Sequence, residues 1–207
     1  VAKVHKPIDA FNKSAELYER KFKDVSAYLN SINFLIERLK TNSKILEIAC
    51  GPGNLTTYFA KSEKEFEILA TDGSENMVEI ARKNNPSVNF KVFDVKNLSE
   101  LNNKYNSLVA GFVLNYLNKN EVITLFLNAK QLLKTNGLLY LSFMEADEKE
   151  SGIKTSSNGE IKLHLNYFSE KQIIKLLVDL NFEIVYSEKI LSTSLPSKND
   201  LILIARV

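Results

Sequence analysis

Apolar positions along this chain change period several times, and each change marks a predicted element. Between residues 8 and 39 they recur every three to four residues. Phe11, Ala15, Tyr18 and Phe22 form one stripe, and Val25, Leu29, Ile32, Leu35, Ile36 and Leu39 form a second. That spacing places each set on one helical face, so two helices are predicted, broken near Asp24. Short apolar runs then alternate with helical stretches. Strands are predicted at residues 45–49, 66–71, 88–93, 107–112 and 138–143, and helices at 54–61, 75–83 and 119–133. Ser74 is placed to cap the second of these helices, and Asn136-Gly137 to stop the third.

Beyond residue 144 the pattern loosens. Residues 145–160 are too polar to bury much, and a mobile surface loop or lid edge is predicted there. Ile161, Leu163, Leu165 and Tyr167 then alternate with Lys162, His164 and Asn166, the pattern of a half-buried strand. Ser169 begins a helix reaching about residue 180. Strands at 182–190 and 201–207, joined by a Ser/Pro/Asn connection, finish the chain. Near-continuous apolar strands alternating with helices predict a parallel sheet covered on both faces. With no repeat and no linker, one domain is expected: helices at 1–40, and an α/β core at 44–207.

Composition narrows the function. The 207 residues suffice for one α/β domain, and 44% apolar with 25% charged residues is ordinary for a globular protein. A net charge of +2 gives no reason to expect a nucleic-acid or membrane surface. The single cysteine, Cys50, excludes an intrachain disulfide and suits a reducing compartment, so a cytoplasmic protein is expected. No segment approaches eighteen apolar residues, and the first residues have no signal-peptide core. His5 is expected in a disordered terminus, and Cys50 as a small packing residue.

The chemistry concentrates in Lys44-Ile45-Leu46-Glu47-Ile48-Ala49-Cys50-Gly51-Pro52-Gly53-Asn54-Leu55: a strand ending in a carboxylate, a glycine turn and a helix start. Open α/β sheets bind ligands at such strand ends. A dinucleotide fingerprint would place glycines at 49, 51 and 54, where the chain has Ala49, Gly51 and Asn54. Read instead as acidic-x-G-x-G-x-G, the positions are Glu47, Ala49, Gly51 and Gly53. The second strand ends in Asp72, whose carboxylate can accept hydrogen bonds from a ribose diol.

The glycine turn resembles motif I of the class I S-adenosylmethionine-dependent methyltransferases. Asp72-Gly73-Ser74-Glu75-Asn76-Met77 resembles that family's D-x-S-x-x-M. Phe93-Asp94-Val95 and the strand ending Gly111-Phe112-Val113-Leu114 fall where its third and fourth strands end. The turn at residues 132–140, the helix carrying Phe11, Ala15 and Tyr18, and Tyr167-Phe168-Ser169 also match its pattern. Glu47 stands where Asp is commoner, and Ala49 where Gly is, a change tolerable if φ at Ala49 is negative.

The resemblance implies a doubly wound, Rossmann-like α/β fold with a seven-stranded, mostly parallel sheet whose last strand is antiparallel. It implies S-adenosylmethionine as cofactor, held by Tyr18, Glu47, Ala49, Gly51, Gly53, Asn54, Asp72, Gly73, Met77, Asp94, Val95 and Phe112. Methyl transfer to a small-molecule acceptor by in-line displacement follows, mainly a matter of alignment and water exclusion. Tyr116, His164 and Tyr167 are the weaker candidates for the acceptor pocket; no metal site is expected and no catalytic residue is named. A non-catalytic S-adenosylmethionine-binding module is the alternative, and a nicotinamide-dependent oxidoreductase a more distant one. The acceptor lacks the sequence signs of a nucleic acid: no N-P-P-Y-type motif follows the fourth strand, and no basic aromatic patch appears.

Overall fold

The computed structural model describes residues 4–156, 159–192 and 198–207. The first apolar stripe forms α1 (Pro7–Phe22), which begins with proline in its first turn, where the missing N–H costs nothing. The break near Asp24 is real: its carboxylate accepts from the Ser26 N–H at 2.9 Å, and a 3-10 turn leads into α2 (Leu29–Arg38). There follow β1 (Lys44–Ile48), α3 (Asn54–Ala60), β2 (Glu67–Asp72), α4 (Glu75–Asn84), β3 (Asn89–Val92) and β4 (Tyr105–Gly111). Ser74 caps α4 by accepting from the Met77 N–H. The second half comprises α5 (Lys119–Leu132), β5 (Leu133–Glu145), β6 (Gly152–Thr155), β7 (Lys162–Leu165), α6 (Glu170–Asp179), β8 (Glu183–Leu191) and β9 (Asn199–Arg206).

Seven strands form one sheet in the order β3-β2-β1-β4-β5-β9-β8. The first five pair in parallel, and β9 runs antiparallel to both its neighbours. This is the doubly wound, seven-stranded α/β sheet with an antiparallel last strand that the family resemblance implies. Successive strand residues serve opposite faces. Leu46, Leu108, Leu139, Leu141 and Leu203 pack with α5 and α6, while Ile45, Val109, Tyr140, Ile202 and Ile204 pack with α2 and α3. Burial on both faces explains why these strands read as unbroken apolar runs.

Two expectations need correction. Residues 152–155, placed in a polar loop, form β6, which pairs with β7 in a separate antiparallel hairpin. Ile153 is 58% exposed there, so no buried face imposes an apolar alternation. Asn136-Gly137 does not end α5, which stops at Leu132. It lies in an irregularity of β5, between the Tyr105–Leu133 pair and the ladder resuming at Ser107–Leu138. The loop expectation at 157–158 and most of the connection before β9 (193–197) lie outside the described residues. Among those described, no helix is long and apolar enough to cross a membrane.

Candidate functional site

The chain leaves β1 outward to β2 and β3, then returns to β4 beside β1, which makes the carboxyl ends of β1 and β4 the switch point where such sheets bind ligands. Both exits are bent. Ala49 follows β1 at φ +50° and Phe112 follows β4 at φ +56°. Ala49 thus adopts the left-handed conformation its glycine-replacing role argued against, and negative φ is not what holds here. Non-glycine residues carry a strain cost in that region and cluster at functional sites.

The two motif glycines do different work. Gly51 (φ +55°) faces open space: a Cβ there would meet only the Tyr18 ring, at 3.8 Å. Gly53 (φ +82°) precedes α3, and a Cβ would lie 2.7 Å from the Asn85 amide. Asn85 in turn donates to the Gly53 carbonyl and accepts from Thr57. Gly53 therefore lets α3 approach α4, and it does not line the cavity.

That cavity, of about 590 Å³, opens between the β1 and β4 ends, α1 and the β6–β7 hairpin, within the size range of small-molecule sites. Of the sequence-predicted residues, Tyr18, Glu47, Ala49, Gly51, Asn54, Phe112 and Tyr116 line it. Asp72, Gly73, Met77, Asp94, Val95, His164 and Tyr167 do not. Asp72 holds the turn together: one carboxylate oxygen accepts from the Gly51 N–H and the other from the Ser74 N–H, both at 2.8 Å. Gly73 is covered by α1, because the Ile8 side chain occupies the space a Cβ would take, 2.7 Å away. Asn12 clasps α1 to the start of α4, accepting from the Ser74 hydroxyl at 2.7 Å and the Asn76 N–H at 3.2 Å.

Met77 is buried in the core. Asp94 accepts from the Lys96 N–H, capping the 3-10 turn that starts at Val95, and Val95 packs on the core of the opposite face. His164 is exposed on β7. Tyr167 is buried beside Met144 and Ala146. Asn54 spends its side-chain amide on the Phe22 carbonyl at the end of α1, at 2.7 Å.

Burial sets the protonation of the site. The Glu47 carboxyl is pushed up to about 8, opposed by the Thr56 hydroxyl donating at 2.7 Å and reinforced by the nearby Asp72 charge. Burial raises Asp72 as well, with the Ser74 and Gly51 amides pulling the other way. The Tyr18 and Tyr116 phenols are driven far above their ordinary range, chiefly by desolvation, so both are donors and neither is a base. Burial, with Glu47 and Asp72 nearby, keeps the Cys50 thiol protonated. Among the described residues no cluster of His, Cys, Asp and Glu is placed to hold a metal.

Several cavity features escaped the sequence. His5, expected in a disordered terminus, lines the wall, its N–H bonded to the Lys162 carbonyl at 2.8 Å. Tyr28 also lines it, and its hydroxyl donates to the buried Asp200 at 2.7 Å. An acid heading the apolar run of β9 was the available signal. Asn115 is wholly buried, its amide donating to the Met144 and Asn166 carbonyls and accepting from the Met144 N–H, which ties the end of β5 to the stretch after β7.

A family model described as a methyltransferase domain matches residues 18–187. The chain belongs to that family. This methyltransferase domain is 31% identical over 149 residues to a malonyl-[acyl-carrier protein] O-methyltransferase of Halalkalibacterium halodurans, covering 66% of this chain and 54% of the relative. It is 26% identical over 179 residues to the Bacillus cereus protein of that name, covering 80% and 65%. The domain thus spans between half and two thirds of the length of these curated relatives. Among solved structures it resembles magnesium protoporphyrin IX methyltransferase from Synechocystis with bound S-adenosylmethionine (TM-score 0.71, 18% identity, 96% of this chain and 94% of that one). It also resembles the [4+2]-cyclase SpnF (TM-score 0.74, 17% identity, 100% and 97%). At such identities the likeness is one of fold, and function rests on the site.

Proposed function

We propose that this methyltransferase domain transfers the methyl group of S-adenosylmethionine to a small-molecule acceptor. The observation carrying this reading is the opening of the Glu47–Gly51 turn onto a half-open cavity beside two cavity-lining phenols, Tyr18 and Tyr116, whose hydroxyls have no hydrogen-bond partner among the described residues. The donor set fits the cofactor. Gly51 leaves backbone accessible at the turn, Glu47 offers a carboxyl for the amino group of the methionine part, and Tyr18 a hydroxyl donor for its carboxylate. Each Asp72 oxygen accepts one amide and retains a lone pair for a ribose hydroxyl. A nucleoside held by Asp72 would meet the Ile8 side chain of α1 beside Gly73, and its admission would require Ile8 to move aside.

When bound, the cofactor supplies an activated sulfonium methyl. The chain's own contribution is to align, enclose and desolvate. The aromatic wall of Phe11, Tyr18 and Tyr116, with ring centroids 5.6 and 5.0 Å from Phe11, excludes water beside the turn. The phenols, held protonated, orient an acceptor by donation. The modest net charge and a cavity of about 590 Å³ favour a small acceptor.

Thermal shift with S-adenosylhomocysteine against NADH tests the reading. Stabilisation by the former alone is expected, and stabilisation by NADH alone would overturn it. Transfer of a labelled methyl group to small molecules of a cell extract separates an enzyme from a binding module.

A further inference from the structure

The cavity lining carries a polar pair, His5 and Lys13, that the donor site does not use. His5 is pinned by its main chain to β7, and its Nε2 lies 3.3 Å from the Lys13 Nζ. An ammonium has protons but no lone pair, so Lys13 donates and Nε2 accepts. The imidazole proton then sits on Nδ1. That Nδ1 is buried and has no hydrogen-bond partner among the described residues. A buried donor without an acceptor is costly, and here it stands in a cavity wall next to a cation.

Apolar side chains share the lining with this pair, among them Phe11, Leu17, Met144, Ile161 and Leu163. From this juxtaposition, and resting on the methyl-donor reading of the same cavity, we infer that the methyl acceptor is an amphipathic carboxylic acid whose carboxylate is received by His5 Nδ1–H and Lys13. The Nδ1–H and the two N–H groups left on Lys13 supply three donors and, at this pair, a single positive charge; the other lysine of the lining, Lys21, lies over the Phe22 ring. That single charge matches a monoanionic carboxylate and falls short of a doubly charged phosphate. The apolar wall receives the body of the molecule. Glu160 also lines the cavity, on the hairpin side, where it is exposed.

The test uses the protein saturated with S-adenosylhomocysteine and compares octanoate with octanamide by titration calorimetry. The two probes share a body and differ only in the charge of the head. Octanoate is expected to bind at least tenfold more tightly. Lys13→Gln and His5→Phe should each cut that preference to threefold or less, while affinity for S-adenosylhomocysteine stays within twofold and shows that the variants are folded. Equal binding of the two probes, no saturable octanoate binding, or a preference that survives both substitutions overturns the inference. If S-adenosylhomocysteine itself fails to bind, the donor reading falls, and the same titrations on the free protein decide the carboxylate site by themselves.

Discussion

At the scale of single residues, the turn after β1 combines a strained alanine with a carboxylate that serves the backbone before any ligand. Ala49 sits at φ +50°, where an L-residue is disfavoured by roughly 1–2 kcal/mol. Ala49→Gly relieves that cost but adds chain entropy to the unfolded state, about 0.5–1 kcal/mol. The expected net is a stabilisation of about 0.5–1 kcal/mol, a rise of roughly 1–3 °C in Tm, read by calorimetry; a fall in Tm would mean the alanine methyl contributes packing that outweighs the strain. Asp72 is the second case. Asp72→Ala leaves the Gly51 and Ser74 amides without their acceptor, each at about 1–3 kcal/mol if it stays buried. Lower stability is therefore expected together with weaker S-adenosylhomocysteine binding, and unchanged affinity in a destabilised variant would assign Asp72 to the turn alone. The sequence made the acidic residues and Gly51 visible because local spacing encodes them. It could not tell that Gly53 serves the α3–α4 contact or that His5 reaches the cavity, because those roles depend on partners far away in the chain, Asn85 and Lys162.

Among the elements, α1 governs access. Its apolar stripe looks like an ordinary core face, yet Phe11, Tyr18 and Phe22 line the cavity, and its hold on α4 includes polar contacts from Asn12 and Glu19. Beside the clasp Ile8 covers Gly73, so under the proposed function docking of α1 and entry of a nucleoside would compete for the same space. Ligand affinity falls with the fraction of protein in which the competent state is populated. Asn12→Ala removes two accepted hydrogen bonds, a net loss of about 1 kcal/mol for a typical bond, and should speed hydrogen exchange in α1. It should also speed S-adenosylhomocysteine association, measured by surface plasmon resonance. Slower association would show instead that docked α1 helps capture the ligand. Most helices and the sheet strands were legible because long periodic segments buried on one or both faces repeat a clear signal. The β6 strand was not, since four residues, three of them exposed, paired only with β7 carry no such repetition.

For the whole molecule, the topology brings the two bent exits, at Ala49 and Phe112, to one switch point and buries Glu47 beneath it. That burial has a consequence for stability. The Glu47 carboxyl titrates at 4.5 in its ordinary state and at about 8 in the fold. Between those values the unfolded chain has released the proton and the folded protein still holds it, so the unfolded state binds fewer protons and stability falls as pH rises. The slope from one such group is at most about 1.4 kcal/mol per pH unit. Glu47→Gln keeps the shape and an oxygen for the Thr56 hydroxyl but does not titrate. Urea unfolding at pH 5, 6, 7 and 8 should therefore show the native protein losing stability more steeply than the variant. Asp72, also raised, is present in both proteins and drops out of the comparison to first order. Saturating S-adenosylhomocysteine should flatten the native slope, because an ammonium beside Glu47 favours its ionised form and draws its folded pKa down. Parallel profiles for the two proteins would place the ionised carboxylate in the fold already at neutral pH. A slope indifferent to the ligand would remove Glu47 from contact with the amino group.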